Sequence, residues 1–295
     1  MAENITRIFI SKNIQRDVVK VNPHAVRSIS PVTLVKSLRE NRSLIFSLIK
    51  REVVGRYRGS AMGILWSFFN PVLMLAVYTF VFSVVFKARW AGGSDSKTEF
   101  ALVLFAGLIV FNLFSECINR APSLILNNAN YVKKVIFPLE ILPVVALGSA
   151  MFHFFISLIV WVVFYLLFFG LPDFFIFDLF LVILPLALVI VGLSWILASL
   201  GVYLRDVSQI IGVVTTVLMF LSPIFYPVVS LPEEYRPFME LNPITFVVEQ
   251  ARDVMIWSKD LDWSGWAFQM LFSTLVAWLG FAWFQKTRKG FADVL

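Results

Sequence analysis

Apolar residues fall in long runs along this chain, and polar or basic stretches are confined between them. A hydrocarbon core about 30 Å thick is crossed by about 20 residues of helix. Six runs approach or exceed that length: Gly63 to Phe86, Phe100 to Ile118, Leu142 to Phe169, Leu179 to Leu204, Gln209 to Tyr226 and Trp263 to Gln285. The fifth is short and meets Pro223 and Pro227, while the third is long and opens with Pro143. This pattern predicts an all-α polytopic membrane protein with six transmembrane helices.

Two stretches fall outside that plan. From Pro31 to Val54, Leu34, Leu38, Ile45, Leu48, Ile49 and Val53 recur at helical spacing, with Lys36, Arg39, Ser43 and Lys50 opposite and Arg42 and Glu52 intruding on the apolar side. Too charged to cross, this stretch reads as an N-terminal amphipathic helix in the membrane interface, or as a solvated helix packed on a partner. The segment 227–262 is too apolar for a free loop, and Pro232, Pro237 and Pro243 cut it into short pieces. Short re-entrant helices between spans 5 and 6 fit it, as does a surface-packed helix pair.

Charge sets the orientation. Segments 1–62, 119–141, 205–208 and 286–295 hold 19 Lys and Arg, whereas 87–99, 170–178 and 227–262 hold 6, together with 11 of the 19 acids. Basic loops remain in the cytoplasm, so the expected topology is N-in, C-in. Composition agrees: 59% of residues are hydrophobic and only 15% charged, against about 25% charged in soluble domains. The first thirty residues are polar and basic, without an apolar signal core, so the first run is expected to serve as signal and anchor. The expected organisation is a cytoplasmic extension (1–30), an interface helix and elbow (31–62), a six-span domain (63–285) and a cytoplasmic tail (286–295).

Candidate chemistry is sparse. One cysteine, Cys117, excludes an intrachain disulfide, and His24 and His153 belong to no ligand-spaced cluster, so no metal site is expected. There is no G-x-x-x-x-G-K-[ST] motif, and no span carries paired acids at its centre. Asn112, His153, Ser157 and Ser194 are mid-span polar residues, Asn70 lies within the first span, and Glu116 sits near the cytoplasmic end of the second. No acid, base and nucleophile converge, so the chain reads as no enzyme, with no cofactor of its own and nothing that suggests nucleic acid. A permease without an energy source needs a partner. The natural contact is the cytoplasmic loop 120–140, where Asn127 and Asn130 could cap a short helix bearing Tyr131, Lys133 and Lys134. A plain basic anchor explains the same residues.

Four stretches then carry a resemblance. "RYRGSAMGILWSFFNPVLMLAVYTFVFSVVF" resembles the start of the first span in type-2 ABC exporter permeases, closest to the bacterial exporters of O-antigens and teichoic acids. "NYVKKVIFPLEILPV" is similar to the coupling region after their second span, "GVYLRDVSQI" to their loop between spans four and five, and "LSPIFYPVVSLPEEYRPFMELNPITFVVEQARDVMI" to their outer gate, which the expected organisation places at 227–262. The resemblance runs in order over roughly residues 44 to 260. It implies a homodimer in the bacterial cytoplasmic (inner) membrane and two copies of a separate ABC ATPase subunit that holds ATP and Mg. It also implies a channel between the subunits and a lipid-linked polysaccharide as cargo.

That frame suggests roles for two residue groups. Gly55, Gly59 and Gly63 would share one helix face as a smooth packing stripe. Beside them, Arg56 and Arg58 would sit at headgroup depth, as positive-inside anchors or as a grip on the lipid pyrophosphate of the cargo. Trp66, Phe69 and Tyr78 on the first span and Phe220, Phe225 and Tyr226 on the fifth could line a glycan path by stacking on sugars. Membrane aromatics also face lipid or form interfacial belts. The leading expectation is a permease for lipid-linked polysaccharide of O-antigen type. Alternatives are a teichoic acid, capsule, drug, lipid or haem exporter of the same type, a membrane-embedded transferase, and a passive channel.

Overall fold

The computed structural model describes residues 29–85, 90, 97–132 and 137–295, so Lys133, Lys134 and nearly all of the N-terminal extension lie outside the described residues. Among these the fold is helical, with no strand. Helices α1 (Pro31–Glu40) and α2 (Arg42–Tyr57) precede α3 (Trp66–Tyr78), which a 3-10 turn, Gly63–Leu65, introduces and a π-helical stretch, Thr79–Val85, extends. Then follow α4 (Lys97–Arg120), α5 (Ala129–Val132), α6 (Leu142–Phe169), α7 (Leu179–Tyr203) and α8 (Val207–Leu221). The short α9 (Arg236–Glu240), α10 (Pro243–Met255), the long α11 (Trp263–Thr287) and α12 (Phe291–Val294) complete the chain.

Among the described residues, five stretches are long and apolar enough to cross a membrane: Gly63–Phe82, Thr98–Ser123, Leu139–Phe169, Phe174–Tyr203 and Trp263–Val294. The expected fifth span is the exception, because α8 has only 15 residues, about 22 Å of helix. It stops at Leu221, five residues before the expected end. Pro223 lacks a backbone donor and drives the residue before it out of the α region, and Ser222 is extended (φ −99, ψ 151). In α3–π the ladder widens where Thr79 Oγ1 donates to the Leu75 carbonyl at 2.6 Å, a side-chain bond that competes with the backbone.

Helix α4 is the axis of the bundle. Every residue from Phe100 to Phe111 is buried, sheathed by α6, α7, α8, α10 and the π stretch. Large indoles there have their polar tips satisfied: Trp161 donates to the Leu102 carbonyl (3.0 Å), Trp195 to Glu140 (3.0 Å) and Trp266 to Leu181 (2.8 Å). Helices α7 and α11 make the most extensive pairing, at a point where Gly192 and Gly280 face each other. A Cβ on Gly280 would stand 2.1 Å from the Gly192 carbonyl oxygen.

The N-terminal region is two helices rather than one, broken at Asn41. The expected stripe is the more buried side: Ile45, Leu48 and Val53 are buried, while Lys36, Arg39, Ser43 and Lys50 are exposed. Helix α2 runs beside α6, with Ile45 and Leu48 against Ile141 and Val145 and Ile49 against Gly148. The tail folds back on the same end. Arg288 pairs with Glu140 at 2.7 Å, Ser37 donates to Glu140 at 2.9 Å, and Phe291 is fully buried.

Small residues at the α7–α11 crossing carry a direct prediction. Gly280→Val should cost about 1–3 kcal/mol and lower the melting temperature of the detergent-solubilised protein. Gly212→Ala, which meets open space, should not lower it; equal melting of the two variants would contradict this packing.

Candidate functional site

The glycine stripe does not form. Helix α2 ends at Tyr57, and Gly59 (φ +86) and Gly63 (φ +54) occupy left-handed conformations that turn the chain into α3. Added Cβ atoms at Gly55, Gly59 and Gly63 would meet nothing within 4 Å, so no close helix contact rests on them; Gly59 and Gly63 serve the turn, while Gly55 lies within α2.

The turn delivers Arg56 and Tyr57 to a polar network between α4 and α6. Arg56 Nη2 donates to Glu116 Oε1 at 2.6 Å, and Arg56 Nη1 lies 3.0 Å from His153 Nδ1. His153 Nδ1 is also 3.1 Å from Glu116 Oε2, and the Tyr57 hydroxyl lies 3.0 Å from His153 Nε2. Arg120 reaches Glu116 at 3.4 Å and pairs with Glu52. Glu52, the acid that intruded on the apolar side of α2, therefore has a reason to be there. Arg58 is exposed and makes no side-chain bond among the described residues. Apart from the Glu116–Arg120 pair, bonded members of the network lie 37 to 97 positions apart in sequence, which is why spacing did not reveal them. His153 stands 11 residues from the start of α6 and 16 from its end, so the network meets that helix near the middle of its length.

Helix α4 is sheathed except along one stripe. Asn112 and Asn119 are exposed, and Ser115 and Glu116 are half-buried between them. These positions, i, i+3, i+4 and i+7, share one face. Thr215 of α8 donates to Asn119 Oδ1 at 2.9 Å. On the free side of α8, Ser208, Gln209, Gly212 and Thr216 line a groove of about 550 Å³. Beyond Asn112, towards the other end of the bundle, aromatic side chains close over the axis. Phe82 stacks on Phe225 with centroids 5.2 Å apart, Tyr78 lies 6.5 Å from Phe225, Phe220 stacks on Phe225 at 5.7 Å, and Phe82 reaches Phe100 at 6.5 Å.

Of the six expected path aromatics, the structure thus gathers Tyr78, Phe220 and Phe225, with Tyr226 attached by its hydroxyl to the Phe220 carbonyl (2.9 Å). Trp66 and Phe69 pair edge-to-face at 5.5 Å at the other end of α3. Phe82 was missed because it sits in the irregular π stretch.

The loop after α4 differs from expectation. Asn127 and Asn130 are exposed, but Asn127 lies within a 3-10 turn and Asn130 within α5, so neither caps the helix. Tyr131 is half-buried, stacked on Phe137 at 4.2 Å, and its hydroxyl accepts from Arg51 Nη1 at 2.6 Å. Helix α2 therefore holds the loop through Arg51 and the α4–α6 network through Arg56. No group of three metal-ligating side chains occurs among the described residues.

Arg252, on α10, was not anticipated. Only 2% exposed, its guanidinium donates to the carbonyls of Val103 (3.1 Å), Pro223 (2.5 Å) and Ile224 (2.8 Å) and lies 4.3 Å over the Trp90 ring. The readable signal was an arginine eight positions after Ile244, on the apolar face of a short helix.

Comparison with known proteins gives consistent relatives. The profile of the family described as ABC-2 type transporter matches residues 43–256. The O-antigen export system permease protein RfbA of Myxococcus xanthus is 27% identical, covering 89% of this chain and 99% of its own. The capsule polysaccharide export inner-membrane protein CtrC of Neisseria meningitidis is 25% identical over 90% and 98%. The polysialic acid transport protein KpsM of Escherichia coli is 23% identical over 71% and 80%.

Arg56 and Glu116 are partly exposed, at 38% and 21% of their side chains, so their pairing should be worth less than a buried ion pair. A double-mutant cycle of Arg56→Gln and Glu116→Gln, read by thermal unfolding, should give a coupling of about 1 kcal/mol. Strict additivity would contradict the network.

Proposed function

The chain belongs to the ABC-2 type transporter family, and from that premise we propose that it is the permease subunit of an ATP-driven exporter. Its cargo is lipid-linked polysaccharide of O-antigen type, moved across the bacterial cytoplasmic membrane, in which the chain sits as a multi-pass protein. The names of relatives aligned over nearly the whole chain support the cargo class. The observation that carries the reading is the exposed polar stripe on an otherwise sheathed helix. Asn112 and Asn119 facing hydrocarbon would be costly, so this face meets water, a hydroxyl-rich cargo or a second copy of the chain. A groove between copies satisfies all three.

In this reading the protein is a six-span, N-in, C-in subunit in which α8 is the fifth span. It works as a homodimer with two copies of a separate ATPase that binds ATP and Mg. Helices α1 and α2 lie at the cytoplasmic interface, and the 227–262 segment forms the outer gate. Partner closure presses on the 120–140 loop at Asn127 and Asn130, with Lys133 and Lys134 beside them. Motion passes through Tyr131 and Arg51 into α2, and from Arg56 into α4 and α6. The shift requires contacts that differ between nucleotide states. Trp66, Phe69, Tyr78, Phe220, Phe225 and Tyr226 offer ring faces to passing sugars. A capsular rather than an O-antigen glycan is the second reading, favoured by the relative named for capsule polysaccharide export.

Arg56 and Arg58 mark the entrance. Arg56 is held by one carboxylate, and a lipid diphosphate offers more charge and matches the planar fork of a guanidinium. Exchange of Arg56 from Glu116 to the diphosphate would admit cargo and loosen the elbow together. In proteoliposomes containing the permease and its ATPase, the double variant Arg56→Gln, Arg58→Gln should lose ATP-dependent glycan transport and keep ATPase binding. Unchanged transport would sink the entrance assignment.

A further inference from the structure

The turn that follows α8 is held from two directions by one short helix. At the start of α10, Asn242 caps the helix by accepting from the Ile244 N–H (3.0 Å) and donates its amide to Ser222 Oγ (2.9 Å). Ten residues on, Arg252 donates to the carbonyls of Pro223 and Ile224. Those carbonyls follow the end of α8, where no helical N–H reaches them. The next residue, Phe225, is the hub of the aromatic cluster that joins the π stretch to α8. A third guanidinium bond, to the Val103 carbonyl, fixes Arg252 to the bundle axis.

The fit around the guanidinium is close. Gly107 of α4 leaves the space for it, since a Cβ there would stand 2.6 Å from Arg252 Nη2. Trp90 covers its other face. A buried cation at this depth is costly unless its donors are paired, and an apolar side chain would fill the position as a packing element. An arginine that spends its donors on the backbone of a gate-bearing turn does something packing alone does not: it fixes where Phe225 sits.

We propose that Arg252 is a positioning residue that latches the aromatic closure of the path, seating Phe225 against Phe82 and Tyr78 so that the resting permease is sealed. The inference rests on the groove between copies being the transport path. It goes beyond that reading by assigning the seal to a side chain whose hydrogen bonds go to the backbone of the turn rather than to the cargo. Opening then requires α10 to withdraw from the 222–224 turn, which couples the outer segment to the path without any contact between α10 and the glycan.

The test uses the assembled permease–ATPase complex in liposomes loaded with a small anionic dye, without nucleotide. Arg252→Met should raise dye leakage at least tenfold over the unaltered protein, and Arg252→Lys, which keeps the charge but not the fork, should leak to an intermediate extent. Joining Phe82→Cys to Phe225→Cys by a short bifunctional maleimide in the Arg252→Met background should restore the seal, a rescue that general unfolding would not allow. Gly107→Ala displaces the guanidinium without removing it and should also leak, so a failure of Arg252→Met to assemble leaves the question decidable. Assembled Arg252→Met or Gly107→Ala complexes as tight as the unaltered protein would overturn the latch. Loss of glycan transport in the unaltered complex would instead count against the polysaccharide reading, while the leakage comparison still decides the latch.

Discussion

Enclosure of one helix organises this molecule. Helix α4 is buried on every side from Phe100 to Phe111, so the helices around it must each present an apolar stripe to the same axis. Within a bilayer no hydrophobic force drives that assembly, because lipid is as apolar as leucine. Close packing does the work instead. Gly192 and Gly280 let α7 and α11 approach to backbone contact, and Gly201 stands so near Pro122 that an added Cβ would lie 2.0 Å from its carbonyl oxygen. The sheath is incomplete on one face, and there the polar residues of α4 appear. The same constraint that builds the bundle therefore leaves that polar face uncovered.

Charged groups inside such a bundle need partners, and the two internal clusters meet that need differently. Around Glu116 the partners are other charged and polar side chains, partly open to solvent, so the set can exchange one anion for another. Around Arg252 the hydrogen-bond partners are backbone carbonyls, with the Glu249 carboxylate 3.7 Å away, and the side chain is almost fully buried, which fixes a geometry. An entrance suits the first arrangement and a seal the second. Between them, α2 carries two arginines, Arg51 and Arg56, that connect the loop after α4 to the network around Glu116.

Long-range order of this kind was only partly legible in the sequence. Helix α6 occupies Leu142–Phe169 as expected, because an uninterrupted apolar run with a proline at its first turn admits one reading. The buried stripe on α2 and the short helices of the outer segment were legible for the same periodic reason. Gly55, Gly59 and Gly63 misled: equal spacing suggests one helix face, but a glycine serves equally well where φ must be positive, and only the fold decides between those uses. Tyr131, expected at the partner surface, also stacks on Phe137 and accepts a hydrogen bond from Arg51, contacts that local spacing does not announce. Arg252 escaped notice because its acceptors are main-chain atoms 28 to 149 positions away, and backbone carbonyls carry no sequence signature.

The central claim is export of a lipid-linked polysaccharide, and disruption of the gene with side-specific detection of that lipid tests it most directly. The account predicts that the lipid-linked glycan accumulates on the cytoplasmic face while surface polysaccharide disappears. Normal surface polysaccharide with no internal pool would contradict it and would make a small-molecule or lipid exporter the better description of this permease.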